Sequence, residues 1–190
     1  MREVGTIAVE AVKIVGGNGD RHKLDFYPTP TEVTHALIDF LESECLLNRR
    51  YSIWECACGD GAMSKVFKER GYDVYETDIN KGIDFLTASF DGFCDWIITN
   101  PPFNRSVEFI EHADTLNKPF AFLLKAQYWN SAKRLSLFEK HPPAFVLPLT
   151  WRPDFTGQGS SLMDMMWCVW FPEVHRTLYF PLRKPKKGAT

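Results

Sequence analysis

Residues 51–78 read YSIWECACGDGAMSKVFKERGYDVYETD, and this stretch decides the fold. A short apolar run, Tyr51 to Glu55, leads into the glycine turn Cys58-Gly59-Asp60-Gly61. A helix is expected from Ala62 to Arg70, ended by Gly71. A second strand, Asp73 to Thr77, then ends at Asp78. Strand, turn, helix and strand within about 30 residues is the repeating unit of a parallel sheet.

The same alternation continues outward. Trp96 to Thr99 is expected as a strand ending at Asn100-Pro101-Pro102-Phe103, followed by a helix over Ser106 to Leu116. A buried strand over Phe120 to Leu124 precedes a helix over Trp129 to Lys140, closed by His141-Pro142-Pro143. Ala144 to Leu147 and Met166 to Phe171 are the last two expected strands. Upstream, Pro28 and Pro30 force an extended backbone. Thr29 or Thr31 then caps a helix through about Ser43, with Val33, Ala36, Leu37, Phe40 and Leu41 on one face. Alternating apolar residues from Val4 to Val15 break at Gly16-Gly17-Asn18-Gly19-Asp20 and suggest a strand or hairpin arm. The expected organisation is an arm over 1–24, one α/β domain over 25–180 and a basic tail over 181–190, frayed from Arg183 to Lys187. Strands alternating with helices imply a doubly wound, largely parallel sheet, whose ligands bind beyond the carboxyl ends of the strands. The unusual clusters of this sequence sit at such ends.

Composition sets the frame. The 190 residues are 45% hydrophobic and 24% charged, enough apolar material for one packed core. With 22 Lys+Arg against 24 Asp+Glu the net charge is -2, which excludes nucleic-acid binding by bulk charge and leaves only local patches. Five cysteines, Cys45, Cys56, Cys58, Cys94 and Cys168, form an odd set without a second close pair. That argues against a disulfide scaffold and a zinc site, and favours reduced thiols in a cytoplasmic protein. His22, His35, His112, His141 and His175 have no metal-ligand spacing, so no metal is expected. No leader-like segment opens the chain, and no apolar run approaches the ~18 residues of a membrane span, so no membrane partner is expected.

Three clusters carry chemistry. Glycines between Glu55 and the helix let backbone approach a ligand closely. Asp60 between them would repel a phosphate, and Ser64 stands where a dinucleotide fingerprint has Gly or Ala. The acidic lip of Glu55 and Asp60 suits a ligand without phosphate that carries positive charge. Asp78, about 20 residues after the glycine turn, is placed to accept hydrogen bonds from both hydroxyls of a ribose. In Asn100-Pro101-Pro102-Phe103 the prolines stiffen a turn, so the Asn oxygen and the Pro101 carbonyl become two fixed acceptors. Two close acceptors suit an exocyclic amine, and Phe103 offers a flat face to the ring that bears it.

Together these residues resemble the class I S-adenosylmethionine-dependent methyltransferases, in particular those that modify adenine N6 in DNA. The motifs span residues 25–125. The resemblance implies a Rossmann-like fold, a mostly parallel seven-stranded sheet flanked by helices, with S-adenosylmethionine as cofactor. In that family the glycine turn wraps the methionine part of the cofactor; the matching positions are Glu55, Cys58, Gly59 and Gly61. Asp78 matches the ribose ligand, and Asp84 with Phe85 the contacts to the cofactor adenine. Asn100, Pro101, Pro102 and Phe103 match the tetrapeptide that takes the target amine. Tyr27, Thr29 and Pro30 match a further cofactor-binding segment, and the motif order is similar to the gamma arrangement.

The resemblance implies a nucleic-acid partner, DNA ahead of RNA, and a flipped or single-stranded nucleotide. Arg105, Lys125, Trp129 and Arg152 are the expected substrate contacts, with Lys133, Arg134, Trp151, Phe155 and Arg183 to Lys187 as further candidates. Each such charge is more often solvated, and each such aromatic more often core. Gly157 to Ser161 is expected to form a mobile loop near the site. The same tetrapeptide serves enzymes that methylate RNA adenine or guanine and protein glutamine, so it identifies the amine more firmly than the polymer. The family usually carries a separate target-recognition domain, and only about 20 residues follow the last expected strand. A homodimer, an accessory subunit and a catalytically idle cofactor-binding module therefore stay open beside the active enzyme.

Overall fold

The computed structural model describes residues 28–88, 94–157, 159, 163–172, 174 and 176–186. The arm over 1–24 and Tyr27 lie outside the described residues.

Helix α1 (Thr31–Ser43) opens the described chain, followed by β1 (Ser52–Glu55), α2 (Ala62–Glu69) and β2 (Asp73–Glu76). Then come β3 (Trp96–Thr99), α3 (Ser106–Thr115), β4 (Phe120–Lys125) and α4 (Leu135–Lys140). The chain closes with β5 (Phe145–Pro148), β6 (Met165–Trp170) and β7 (Leu178–Tyr179). The seven strands form one sheet in the order β2-β1-β3-β4-β6-β5-β7. All neighbouring pairs are parallel except those made by β6, which runs antiparallel to both β4 and β5.

Strand order reverses at β1: β2 lies on one side of it and β3 on the other. A crevice opens at such a reversal, because successive connections leave in opposite directions. Glu55 ends β1 and Asn100 follows β3, so both fall at its mouth.

Side chains alternate between two apolar layers, as a pleated strand buried on both faces requires. On β6, Met165, Trp167 and Val169 join one cluster with α1 and α2, while Met166, Cys168 and Trp170 join the other with α3. Ile53 and Trp54 of β1 part the same way. The buried indole of Trp167 donates from Nε1 to the Val33 carbonyl at 3.1 Å and so pins the first turn of α1 to the sheet.

Two expectations need correction. The helix expected from Trp129 to Lys140 is a turn, a 3-10 segment over Ala132–Arg134 and then the short α4. Trp129 lies in that turn, packed against Phe138 and Trp170, because burying its ring outweighs continuing a helix through Asn130 and Ser131. Neither threonine caps α1: the N-cap is Pro30, without a side-chain hydrogen bond. The seventh strand that the resemblance implies is β7, two exposed residues that no local run of sequence marks. Beyond β7, buried Leu182 donates its N–H to the Pro148 carbonyl at 2.8 Å. No helix among the described residues is long and apolar enough to cross a membrane.

Trp167→Ala removes a fully buried ring and the anchor of α1. It is expected to cost about 3–5 kcal/mol of unfolding free energy in urea denaturation.

Candidate functional site

A single pocket gathers residues from the ends of β1, β2 and β3 and from the segment before α1. Its wall includes Pro28, Thr29, Glu55, Cys58, Gly59, Asp60, Asp78, Asp84, Phe85, Asn100, Pro102 and Arg105. Of the sequence-expected residues, Pro30, Gly61, Pro101, Phe103, Lys125, Trp129 and Arg152 do not line it.

The turn after β1 needs its glycines for conformation. Gly59 and Gly61 have φ of 52° and 84°, the left-handed region that side chains disfavour. A Cβ on Gly61 would meet only ordinary contact, 3.8 Å from Glu76 Oε1, so the dihedral and not space is the constraint. The turn is tied to β2 by Asp78, whose Oδ2 accepts from the Gly59 N–H at 2.9 Å and Oδ1 from the Asn80 N–H at 2.8 Å. Asp60 accepts from the Ala62 N–H at 3.1 Å and faces the start of α2.

Glu55 is 3% exposed. The Ser64 hydroxyl donates to its Oε2. That explains the serine at the position where a dinucleotide turn carries Gly or Ala, a departure visible in the sequence whose purpose was not. Burial pushes the Glu55 carboxyl up to about 7. Lys81 Nζ donates to Cys58 Sγ at 3.0 Å; burial, the largest influence, still holds that thiol above its usual range.

Asp84 accepts from the Leu86 N–H at 3.0 Å through Oδ1 and pairs with Arg105 Nη1 at 3.6 Å through Oδ2. Arg105 thus faces a carboxylate of the pocket wall. Phe85 is 2% exposed, edge-on to Trp54, and presents only part of its ring to the pocket.

Asn100 carries the most telling geometry. Its Nδ2 donates to Thr29 Oγ1 at 3.1 Å, while its buried Oδ1 has no hydrogen-bond partner among the described residues. Leaving a buried acceptor unpaired costs about 1–3 kcal/mol; Thr34, His35, Thr99, Trp129 and Trp151 also carry an unpaired buried polar atom, but of these side chains Asn100 alone lines the pocket. The sequence pointed to Asn100, but Thr29 as its anchor was not foreseen. Phe103 packs against the α1 side of the core, with Lys125 Nζ 4.6 Å from its ring centroid.

The outer candidates separate. Arg134 stacks 4.1 Å over the Tyr128 ring. Arg152 is paired with Asp164 at 2.8 Å and, like Trp129, does not reach the pocket. Trp151 and Phe155 pack against the core. The loop expected to be mobile is organised in its described part: Asp154 accepts from the N–H groups of Thr156, Gly157 and Gly159, the last at 2.6 Å. Gln158, Ser160 and Ser161 lie outside the described residues. All five cysteines are free, and no group of three metal-ligating side chains is found among the described residues.

Solved structures share this architecture. A Listeria monocytogenes protein assigned to the class I S-adenosylmethionine-dependent methyltransferases matches at a TM-score of 0.57 and 14% identity, over 93% of this chain and 71% of its own. An assigned RNA methyltransferase from Pyrococcus horikoshii matches at 0.58 and 13%, over 88% and 97%. The modification subunit of an assigned type I restriction enzyme from Vibrio vulnificus matches at 0.56 and 13%, over 96% of this chain and 51% of that subunit. The chain thus spans about half of the subunit's length. These likenesses establish the Rossmann-like fold of class I methyltransferases. No family model matches the sequence, and no curated protein matches it.

The raised Glu55 acidity has a consequence for stability. The folded state holds this proton more tightly than the unfolded chain, whose carboxyl titrates at its ordinary value of 4.5. Stability is therefore lost as pH rises from 4.5 to about 7, and no further loss follows above it. Glu55→Gln is expected to exceed the wild type by roughly 3 kcal/mol at pH 8, the gap shrinking below about 1 kcal/mol at pH 5. Urea midpoints of the two proteins at both pH values measure it.

Proposed function

We propose that the protein transfers a methyl group from S-adenosylmethionine to an exocyclic amine, and that the amine is N6 of adenine in DNA. The observation that carries this reading is the Asn100 carboxamide: one arm is held by Thr29 and the other is a buried, unused acceptor at the pocket wall.

The pocket's donor set fits that cofactor. Glu55 and Asp60 suit a cationic methionine end, and Asp78 lies at the end of β2 where a ribose hydroxyl can be accepted. Each Asp78 oxygen holds one backbone N–H and keeps acceptor capacity for another donor. Asp84 and the edge of Phe85 suit an aminopurine. Arg105 is the cation among the described lining residues and is already paired, so the wall has no phosphate cradle. Tyr27 and Pro30 belong to this proposed cofactor side by their motif positions, with Cys58, Gly59 and Gly61 in the turn.

The bound cofactor supplies a methyl group activated by an adjacent sulfonium. The protein's part is orientation and charge stabilisation. The amine of adenine is a weak nucleophile because its lone pair is delocalised into the ring. Asn100 Oδ1 and the Pro101 carbonyl would accept its two N–H bonds, localise the lone pair and offset the positive charge that grows on nitrogen as the N–C bond forms and the methyl–sulfur bond breaks; the methylated amine would then give up one proton to solvent. Pro102 stiffens the turn that carries both acceptors. Phe103 lies outside the pocket lining, with Lys125 4.6 Å from its ring centroid, and is the proposed flat face for the target base by its motif position. A base within a duplex cannot reach these acceptors, so the nucleotide enters flipped or single-stranded. An RNA base amine or a protein amide meets the same acceptors and is separated by the product.

Asn100→Ala is expected to lower methyl transfer by at least about 10²–10³-fold, the scale of a lost charge-stabilising partner, while cofactor affinity stays within a few-fold. Labelled methyl is followed into duplex DNA, single-stranded DNA, RNA and protein, and the nucleic acids are digested to nucleosides. Label in N6-methyladenine from DNA supports the proposal. Label only in RNA or protein moves the substrate, and full turnover by the variant removes Asn100 from the chemistry.

A further inference from the structure

We propose that the segment after β7, from Arg183 to Lys186, is a phosphate clamp that holds the nucleic-acid strand whose base enters the pocket. The inference rests on the amine-methylation reading for its partner and adds to it the surface that grips the backbone.

The direction of the strands places this segment. Every strand except β6 runs the same way, so the chain beyond β4, β5 and β7 emerges at the end of the sheet where the pocket opens. Charge at that end is divided. Glu55, Asp60, Asp78 and Asp84 gather beyond β1 and β2. Lys125 ends β4, Arg152 follows β5, and Arg183, Lys184 and Lys186 follow β7. A chain of net charge -2 has no bulk attraction for a polyanion, so a strand must be met by a local group of cations such as this one.

The segment is tied down at its start. Leu182 is buried, and its N–H donates to the Pro148 carbonyl at 2.8 Å. Its own carbonyl accepts from both the N–H and the Oγ1 of Thr150, at 3.1 and 2.7 Å. Chain ends fray unless they are held in this way. Lys184 then reaches back to Glu32 in the first turn of α1, Nζ to Oε1 at 3.5 Å. Glu32 stands three residues after Thr29, which touches Asn100. The anchored segment thus lies against the same stretch of chain that forms part of the pocket wall. Arg152 and Lys184 are paired with Asp164 and Glu32. Arg183 and Lys186 are exposed and pair with no acid among the described residues, so these two are the cations to meet phosphates.

The test measures binding and needs no turnover. Anisotropy follows a short fluorescein-labelled single-stranded oligodeoxynucleotide, and the oligoribonucleotide of the same sequence, from about 0.05 to 0.3 M salt. Each phosphate contact on a single strand adds about 0.7 to the slope of log affinity against log salt. Arg183→Gln combined with Lys186→Gln should therefore flatten the slope by about 1.4 and weaken binding about tenfold or more at 0.1 M salt. The loss should be the same on both strands, since a clamp reads charge and not sugar; a loss on one strand alone overturns it. Lys140→Gln combined with Arg176→Gln removes the same charge before β5 and β7, at the opposite end of the sheet, and should change the slope by less than about 0.3. An unchanged slope in the Arg183 and Lys186 variant overturns the clamp. An equal loss in the control pair does so too, because net charge and not place would then decide. A wild type that binds neither strand overturns it as well. DNA methylation by wild type together with an unchanged slope in the variant leaves the amine-methylation reading supported and removes only the clamp. The expected slope loss in a protein that methylates no nucleic acid overturns that reading and leaves the clamp supported.

Discussion

The Asp78 carboxylate holds two backbone N–H groups at once, Gly59 through one oxygen and Asn80 through the other. The rest of the pocket depends on that clasp. Pairing between β1 and β2 ends at Glu55 and Glu76, but the ladder runs on: Thr77 donates to the Glu55 carbonyl and Cys58 to the Thr77 carbonyl, each at 3.0 Å. Asp78 then carries the connection into the glycine turn itself. Without it the Gly59 N–H would sit part-buried and unpaired, at a position whose left-handed φ already carries a backbone cost. The start of α2, the Ser64 hydroxyl on its first turn and hence the lid on Glu55 all follow from where this turn is held.

The electrostatics follow from the same crowding. Glu55, Asp60, Asp78 and Asp84 share one pocket, and the nearby cations are engaged, Lys81 with Cys58 and Arg105 with Asp84. Such a wall disfavours anions and gains from a cation. Glu55 shows the cost most directly, since burial alone is its largest perturbation and it stands near half-ionised at neutral pH. A cationic group brought beside it would favour the ionised form, so binding would be coupled to proton release.

Much of this was legible in the sequence, for physical reasons that differ by element. Strands buried on both faces read as continuous apolar runs, so Trp96–Thr99 and Phe120–Lys125 were found to within a residue. The glycine turn and the proline tetrapeptide are local features whose geometry is written in adjacent residues. Thr29 was placed at a helix start and in a cofactor segment, but its contact with Asn100 crosses 71 positions and no local rule reports it. Trp129 and Arg152 fall outside the pocket lining for a related reason. An aromatic or a cation near a site in sequence has competing partners in space, here Phe138 with Trp170 and Asp164. β7 could not be located from the sequence because two exposed residues carry no periodicity; only the partner strand β5 makes them a strand.

The pocket also lies on a seam, and that explains its composition. Two apolar layers sandwich the sheet, one built on α1 and α2 and the other on α3. Phe85 and Phe109 of the pocket wall belong to the α3 layer, whereas Met63 belongs to the α1 and α2 layer. Thr29, just before α1, reaches across to Asn100 at the end of β3. Each layer alone is a closed core that would admit nothing. Where they part, beyond the strand ends, neither supplies enough side chain to fill the gap. Backbone turns and polar side chains fill it instead. Reversal of strand order at β1 makes that parting unavoidable, because the connections to β2 and β3 must leave on opposite sides. The fold thus dictates where a pocket opens. At its wall the Thr29 hydroxyl meets Asn100 Nδ2, so a contact between the segment before α1 and the end of β3 closes one side of that gap.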